Sequence, residues 1–213
     1  GGIVGYMYGD ETFVTGSANR GTVHSEYITT ATVSETAKAA NVGGIVGKID
    51  REDTLGLDAV KENETVAAVS DSYNAGSVQG YTGVGGIAGF MYNGEIAGSY
   101  NLGTITSTRA SEIGGSVDPL NMGGIVGDTT EKTEAHALIY DVYNSGTIGD
   151  KEFNYFGRHV GGIVGRLSGT VEKAYNTGNI YNGYNVVGGI VGYWYKGEIK
   201  NTFNTGNITV YNQ

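Results

Sequence analysis

Gly161-Gly162-Ile163-Val164-Gly165, followed a short stretch later by Tyr175-Asn176-Thr177-Gly178-Asn179-Ile180, is one copy of a motif pair that runs the length of the chain. The first motif, Gly-Gly-Ile-Val/Ala-Gly, starts at Gly1, Gly43, Gly85, Gly123, Gly161 and Gly188. The second, Tyr-Asn-x-Gly-x-Ile/Val, occupies 73–78, 100–105, 143–148 and 175–180, with Phe replacing Tyr at 203–208 and a degenerate copy at 18–23. Strict alternation of two motifs is an internal repeat, the signature of a chain that grows by stacking similar turns.

The most compact copies, from Gly161 and Gly188, have a length of roughly 27 residues, typical of one turn of a β-solenoid. In the last copy, 188–195 alternates Ile190 and Trp194 on one face with Val191, Tyr193 and Tyr195 on the other. Lys196-Gly197 should break that strand, 198–200 forms a second, and 206–210 a third after a corner at 204–206. The expected fold is all-β: a right-handed parallel β-helix or β-solenoid of about six rungs with loop insertions, forming one domain over 1–213.

Register stacking turns equivalent residues into columns. One inward column is Ile3, Ile45, Ile87, Ile125, Ile163 and Ile190, continued four residues on by Met7, Ile49, Met91, Thr129, Leu167 and Trp194, where Thr129 fits poorly. A second is Val23, Val78, Ile105, Ile148, Ile180 and Ile208, and a weaker third holds Ile96, Val171 and Ile199. β-Branched aliphatics suit a buried pleated surface. Val4, Val46, Val126, Val164 and Val191 should face away from the Ile column, so either insertions cover them or the cross-section is not a simple one-core helix. Tyr73, Tyr100, Tyr143, Tyr175 and Phe203 form an aromatic column beside Asn19, Asn74, Asn101, Asn144, Asn176 and Asn204. Asn tolerates left-handed backbone, and its amide both donates and accepts, so this column reads as a structural ladder at a corner.

Copies differ by insertions at 24–41, 48–71, 106–121 and 128–141, where partner-specific contacts on a regular stack are expected. The segment 34–40 could form one helical turn. Glycine makes up 38 of 213 residues at fixed repeat positions, with a single proline, which excludes collagen-like and polyproline structures. A net charge of −9 disfavours nucleic acid and anionic membrane as partners. Absence of Cys rules out disulfides and thiolate metal sites. No apolar run spans a bilayer, so membrane insertion is not expected. Both ends lie within the repeat without polar caps, which makes the chain read as a fragment of a longer protein.

Catalytic chemistry finds little support. Gly83-Val84-Gly85-Gly86-Ile87-Ala88 matches a dinucleotide fingerprint, but the same glycines recur in every copy without a βαβ unit. Gly47-Lys48 is followed by Ile49 rather than Ser or Thr and is no phosphate loop. His24, His136 and His159 fall in expected surface loops and form no metal motif. Glu95 and Glu198 share a repeat position but lie three rungs apart, roughly 14 Å, too far for a glycosidase pair; Glu172 is offset by one residue and should face differently. The acidic insertion carrying Asp50, Glu52, Asp53, Asp58, Glu62 and Glu64 lacks calcium-loop spacing. No catalytic, metal or cofactor residue is therefore assigned. Tyr6 and Tyr8, Phe90 and Tyr92, and Tyr193 and Tyr195 share one alternation phase and are the candidate ligand contacts, able to stack on sugar rings or anchor a protein.

The alternating motifs, best preserved over 85–105, 161–180 and 188–208, resemble the GLUG repeat. The resemblance covers most of the chain and implies a segment of a large secreted or surface-anchored bacterial protein. Such parents include immunoglobulin A1-specific zinc metalloendopeptidases and adhesin-like proteins. A peptidase zinc motif would lie outside this segment. The implied location is extracellular, secreted or cell-wall anchored, and the implied partners are host protein, glycan and neighbouring domains of the same chain. The expected role is a non-catalytic spacer or host-protein-binding module, the alternative being a glycan-binding adhesin segment.

Overall fold

A computed structural model describes residues 1–9, 11–25, 41–50, 68–108, 120–130, 137–152, 157–182 and 186–211. The possible helical turn at 34–40, His136, and most of the acidic insertion lie outside the described residues. The described residues are all-β, every strand pairing is parallel, and no helix is long and apolar enough to cross a membrane. Each motif copy pairs with the next. The strands Val4–Tyr8, Val46–Asp50, Ala88–Met91, Val126–Asp128, Val164–Asn176 and Val191–Lys200 follow one another in a curled, solenoid-like sheet. A five-stranded sheet, from Val42–Gly43 to Val186–Gly188, carries the residues just before each Gly-Gly pair.

The Gly-Gly step is a sharp bend, and it settles where the valines go. At each bend two successive amides donate to one carbonyl of the next turn: Ile45 N and Val46 N to Ile87 O, then Ile87 N and Ala88 N to Ile125 O. In a continuous strand successive amides point to opposite neighbours, so the shared acceptor resets the alternation. Val46, Val126 and Val164 consequently face inward with Ile45, Ile125 and Ile163 and are completely buried beside them. The expectation that these valines point outward is corrected.

The core has two lobes. One holds the Ile-Val pairs, Ile49, Met91 and Leu167; the other holds Val42, Val84, Met122 and Val160 against Val78, Ile105, Ile148 and Ile180. Between them the second glycine of the first motif meets the ladder asparagine of the same turn. A Cβ on Gly44 would lie 2.4 Å from Asn74 Cγ, and one on Gly124 2.5 Å from Asn144 Cγ. This contact explains the alternation of the motifs: the glycine makes room for the asparagine across a narrow waist. The fifth glycine serves the neighbouring sheet, since a Cβ on Gly127 would lie 2.4 Å from Val84 N.

Several other expectations change in detail. Lys196-Gly197 does not end its strand: both stay paired, opposite Ser168 and Gly169, after a bulge at Tyr195, and Gly197 takes φ +105°. The weak third column is complete: Val14, Val69, Ile96, Ile139, Val171 and Ile199 pair in succession. Thr129 is fully buried yet satisfied, its hydroxyl accepting from Ser168 N at 2.7 Å and donating to Ser168 O at 3.1 Å. At the two ends, Ile3 is 48% and Trp194 56% exposed, because no further turn covers them within the described residues. Left-handed backbone falls three residues before the ladder asparagines, at Asp71, Asp141, Lys173 and Asn201, with Gly16 and Gly98 completing that corner. The ladder asparagines themselves are in strand conformation.

Candidate functional site

Six asparagines are joined by side-chain hydrogen bonds into a ladder. Asn19, Asn74, Asn101, Asn144 and Asn176 each donate one Nδ2 hydrogen to the Oδ1 of the next member at 2.7 Å, the last reaching Asn204. The second hydrogen goes to the glycine carbonyl two residues on, as in Asn101 to Gly103 O at 2.8 Å and Asn144 to Gly146 O at 2.9 Å. Beside it Tyr73, Tyr100, Tyr143, Tyr175 and Phe203 stack with centroids 4.7–5.1 Å apart and planes within 5° of parallel. Arg20 extends this ladder by donating to the Tyr73 hydroxyl. Both ladders run along the stacking direction and bind one turn to the next.

The candidate aromatic contacts are divided. Tyr6, Phe90 and Tyr193 do fall in one column, whose intervening members are Lys48, Asp128 and Arg166. The cations fill the gaps between the rings. Lys48 Nζ lies 5.5 Å from the Tyr6 ring centroid and 5.4 Å from that of Phe90, and Arg166 Cζ lies 5.7 Å from that of Tyr193. Phe90 is buried, whereas Tyr6, Tyr8, Tyr193 and Tyr195 are exposed. Tyr8 sits opposite Asp50, Tyr92 N donates to Ile49 O, and Tyr195 is the extra residue of the bulge. Tyr6 and Tyr193 are five turns apart, about 24 Å at usual strand spacing. The six therefore form end pairs and a central pair rather than one sugar-binding strip.

Sequence reasoning missed the cluster around His159. This histidine is not in a surface loop: it opens the strand His159–Gly161 and is buried. Asn121 Nδ2 donates to Asp128 Oδ2 at 2.6 Å, which turns Asn121 Oδ1 towards His159 Nδ1 at 2.7 Å. Nδ1 thus carries the proton of a neutral imidazole, and Nε2 keeps its lone pair. Burial, with help from Arg158 and Arg166, lowers the His159 pKa to about 4. The ring also packs on Tyr193, with centroids 4.8 Å apart. Asp128 Oδ1 accepts from Thr130 N and Oγ1, and burial raises this carboxyl above its ordinary value against the opposing pull of those bonds and Arg166. The signal was available in the column alignment, which puts Asn121 opposite His159 and Asp128 opposite Arg166.

This arrangement can hold charge and orient an imidazole, but Asn121 cannot relay a proton as a carboxylate would. Among the described residues no three His, Cys, Asp or Glu side chains are grouped to hold a metal ion. Glu95 and Glu198 are separated by Leu138 and Thr170 in their column, three steps apart. Glu172 pairs with Lys200, offset two residues from Glu198 rather than one, and so shares its face.

Among curated proteins, the chain is 29% identical over 180 residues to Halomucin from Haloquadratum walsbyi. That similarity covers 82% of this chain and 2% of Halomucin, so the chain spans a small fraction of that relative's length. No family model matches the chain, and the resemblance to the GLUG repeat rests on the two motifs themselves. No solved structure matches it either.

Proposed function

We propose that the chain is a non-catalytic repeat module of a large extracellular protein, acting as a spacer or host-protein-binding region. The observation that carries this reading is how the repeated residues are used. The Asn ladder, the ring stack and both core lobes are directed from turn to turn, and Arg20, Lys48 and Arg166 lie against rings of neighbouring turns. Six right-handed turns are part of the proposal. An extracellular setting draws support from the similarity to Halomucin. A parent with an IgA1-protease-like peptidase domain is a finer version of the same idea, resting on the motif resemblance.

The alternative, a glycan-binding adhesin segment, is favoured by the exposed pairs Tyr6 and Tyr8, and Tyr193 and Tyr195. Glycan and host-protein arrays probed with the chain and with its Tyr193→Ala, Tyr195→Ala double variant distinguish the two. The spacer reading expects no glycan retention that depends on these tyrosines. Retention abolished in a still-folded double variant would replace it with the adhesin reading. Loss of host-protein capture on deleting 51–67 would assign the binding role to that insertion.

A further inference from the structure

The ring stack carries hydroxyls that the fold does not use. Tyr73, Tyr100, Tyr143 and Tyr175 are in register on successive turns and half-buried, with Phe203 next in the column. Phe203 stacks on Tyr175 with centroids 5.0 Å apart, the same separation as Tyr143 and Tyr175, so the stack needs rings and not phenols. Arg20 donates to the Tyr73 hydroxyl. The hydroxyls of Tyr100, Tyr143 and Tyr175 have no hydrogen-bond partner among the described residues. Nor do they bond to one another. Nearly parallel rings 4.7–5.0 Å apart hold them at about that interval, well beyond the ~2.7–2.8 Å of an O–H···O bond.

This row lies where no insertion interrupts the stack. From the tyrosine to the aliphatic residue of the third strand the spacing is the same in each copy, at 73–78, 100–105, 143–148 and 175–180. All four tyrosines lie on turns that are paired on both sides. One flank is the exposed, uncharged column Ala75, Leu102, Ser145 and Thr177; the other carries exposed Asp71, Asp141 and Lys173.

These features select a partner chemistry. The ring faces are covered by neighbouring rings, so a partner is held at the ring edges by hydrogen bonds rather than by stacking. A partner hydroxyl placed between two phenols, about 2.7 Å from each, can donate to one and accept from the other. An extended polysaccharide repeats such hydroxyls along its length, its sugars following one another at a distance comparable to the turn spacing. Asp71, Asp141 and the net charge of −9 disfavour an anionic polymer. Leu102 is the only large apolar member of the uncharged flank, too little for the anchor cluster of a protein interface.

We propose that this row binds a neutral polysaccharide, laid along the stacking direction and held by the phenols of Tyr100, Tyr143 and Tyr175. The site is separate from the pairs Tyr6 and Tyr8, and Tyr193 and Tyr195. It adds a binding role to the spacer reading, which stands if this role fails.

Replacing the three tyrosines by Phe removes the hydroxyls and keeps the rings, which Phe203 shows the column to accept. Native gel electrophoresis through dissolved polysaccharide reads binding as retardation, with xyloglucan, galactomannan and mixed-linkage β-glucan as neutral probes and polygalacturonate as the anionic one. The wild-type chain should be retarded by at least one neutral polymer. The Tyr100→Phe, Tyr143→Phe, Tyr175→Phe variant should bind that polymer at least about tenfold more weakly, through loss of three hydrogen bonds, with unchanged circular dichroism. Leu102→Glu sets a charge beside the row at an exposed position; it should also weaken binding, and it serves if the triple variant does not fold. A wild-type chain that no neutral polymer retards overturns the proposal. So does equal retardation of wild type and Phe variant, or retardation by polygalacturonate alone. Binding lost in the Tyr193→Ala, Tyr195→Ala variant but kept in the Phe variant also overturns it and moves the site to that pair.

Discussion

Replacing Asn101 by alanine removes a residue whose hydrogen-bonding capacity is fully used. Its Oδ1 accepts from Asn74 Nδ2 at 2.7 Å and from Gly103 N at 3.2 Å, and its Nδ2 donates to Asn144 Oδ1 at 2.7 Å and Gly103 O at 2.8 Å. The site is completely buried, so water cannot readily take over. At about 1 kcal/mol for each of four bonds, Asn101→Ala should cost about 4 kcal/mol, a large share of the ~5–15 kcal/mol typical of a folded domain. Asn204→Ala is the internal control. It removes the bonds to Asn176 and Gly206 at a partly exposed end, where water replaces much of what is lost, and should cost about 1 kcal/mol. Urea unfolding followed by circular dichroism reads both, with the change in midpoint reporting the cost at constant slope. Equal costs for the two variants, or less than about 1 kcal/mol for Asn101→Ala, would refute the idea that the buried ladder holds the turns together.

Two further outcomes follow from the geometry. Gly127→Ala should destabilise by about 3 kcal/mol because its Cβ would collide with the Val84 and Gly89 backbone, whereas Gly5→Ala, at the same motif position with nothing within 4 Å, should stay within about 0.5 kcal/mol; urea midpoints that rank the two equally would contradict the close sheet packing. For His159, a folded pKa of about 4 lies below the ordinary 6.5, so the unfolded chain takes up the proton first. Stability should be intact above pH 6.5 and fall as the pH drops from 6.5 towards 4. His159→Gln should shrink the loss between about pH 7 and pH 5, and an undiminished loss would show that His159 is not held neutral.

The stacking was legible in the residues because it depends on repetition. Ile45, Ile87, Ile125 and Ile163, and the six ladder asparagines, keep constant spacing from recognisable glycines. The complete third column was harder to see, since Val14, Val69 and Ile139 are separated from the first motif by stretches of different length. The inward valines were misassigned for a backbone reason: strict alternation holds only within a continuous strand, and the Gly-Gly bend resets it between Ile45 and Val46. The same break hid the two-lobed core, whose waist depends on contact between Gly44 and Asn74 rather than on either motif alone. The His159 cluster escaped notice because its members are ordinary residues until the register sets Asn121 beside both His159 and Asp128. The aromatic pairs were recognised individually, but their common column with Lys48 and Arg166 required the turns to be aligned.

Register across a long insertion is the central claim, and the absence of native Cys allows it to be tested directly. Asn101 pairs with Asn144, which sets exposed Leu102 beside exposed Ser145 on the adjoining turn despite a long intervening stretch of chain. Adjacent parallel strands lie ~4.8 Å apart, within the Cα separation a disulfide accepts, whereas two turns are about 9.6 Å apart and outside it. Leu102→Cys with Ser145→Cys should therefore form a disulfide under mild oxidation in the folded monomer, read by mass spectrometry after digestion. Leu102→Cys with Thr177→Cys, two turns apart, should remain reduced. Efficient bonding of the second pair, or none in the first, would contradict the stacked register.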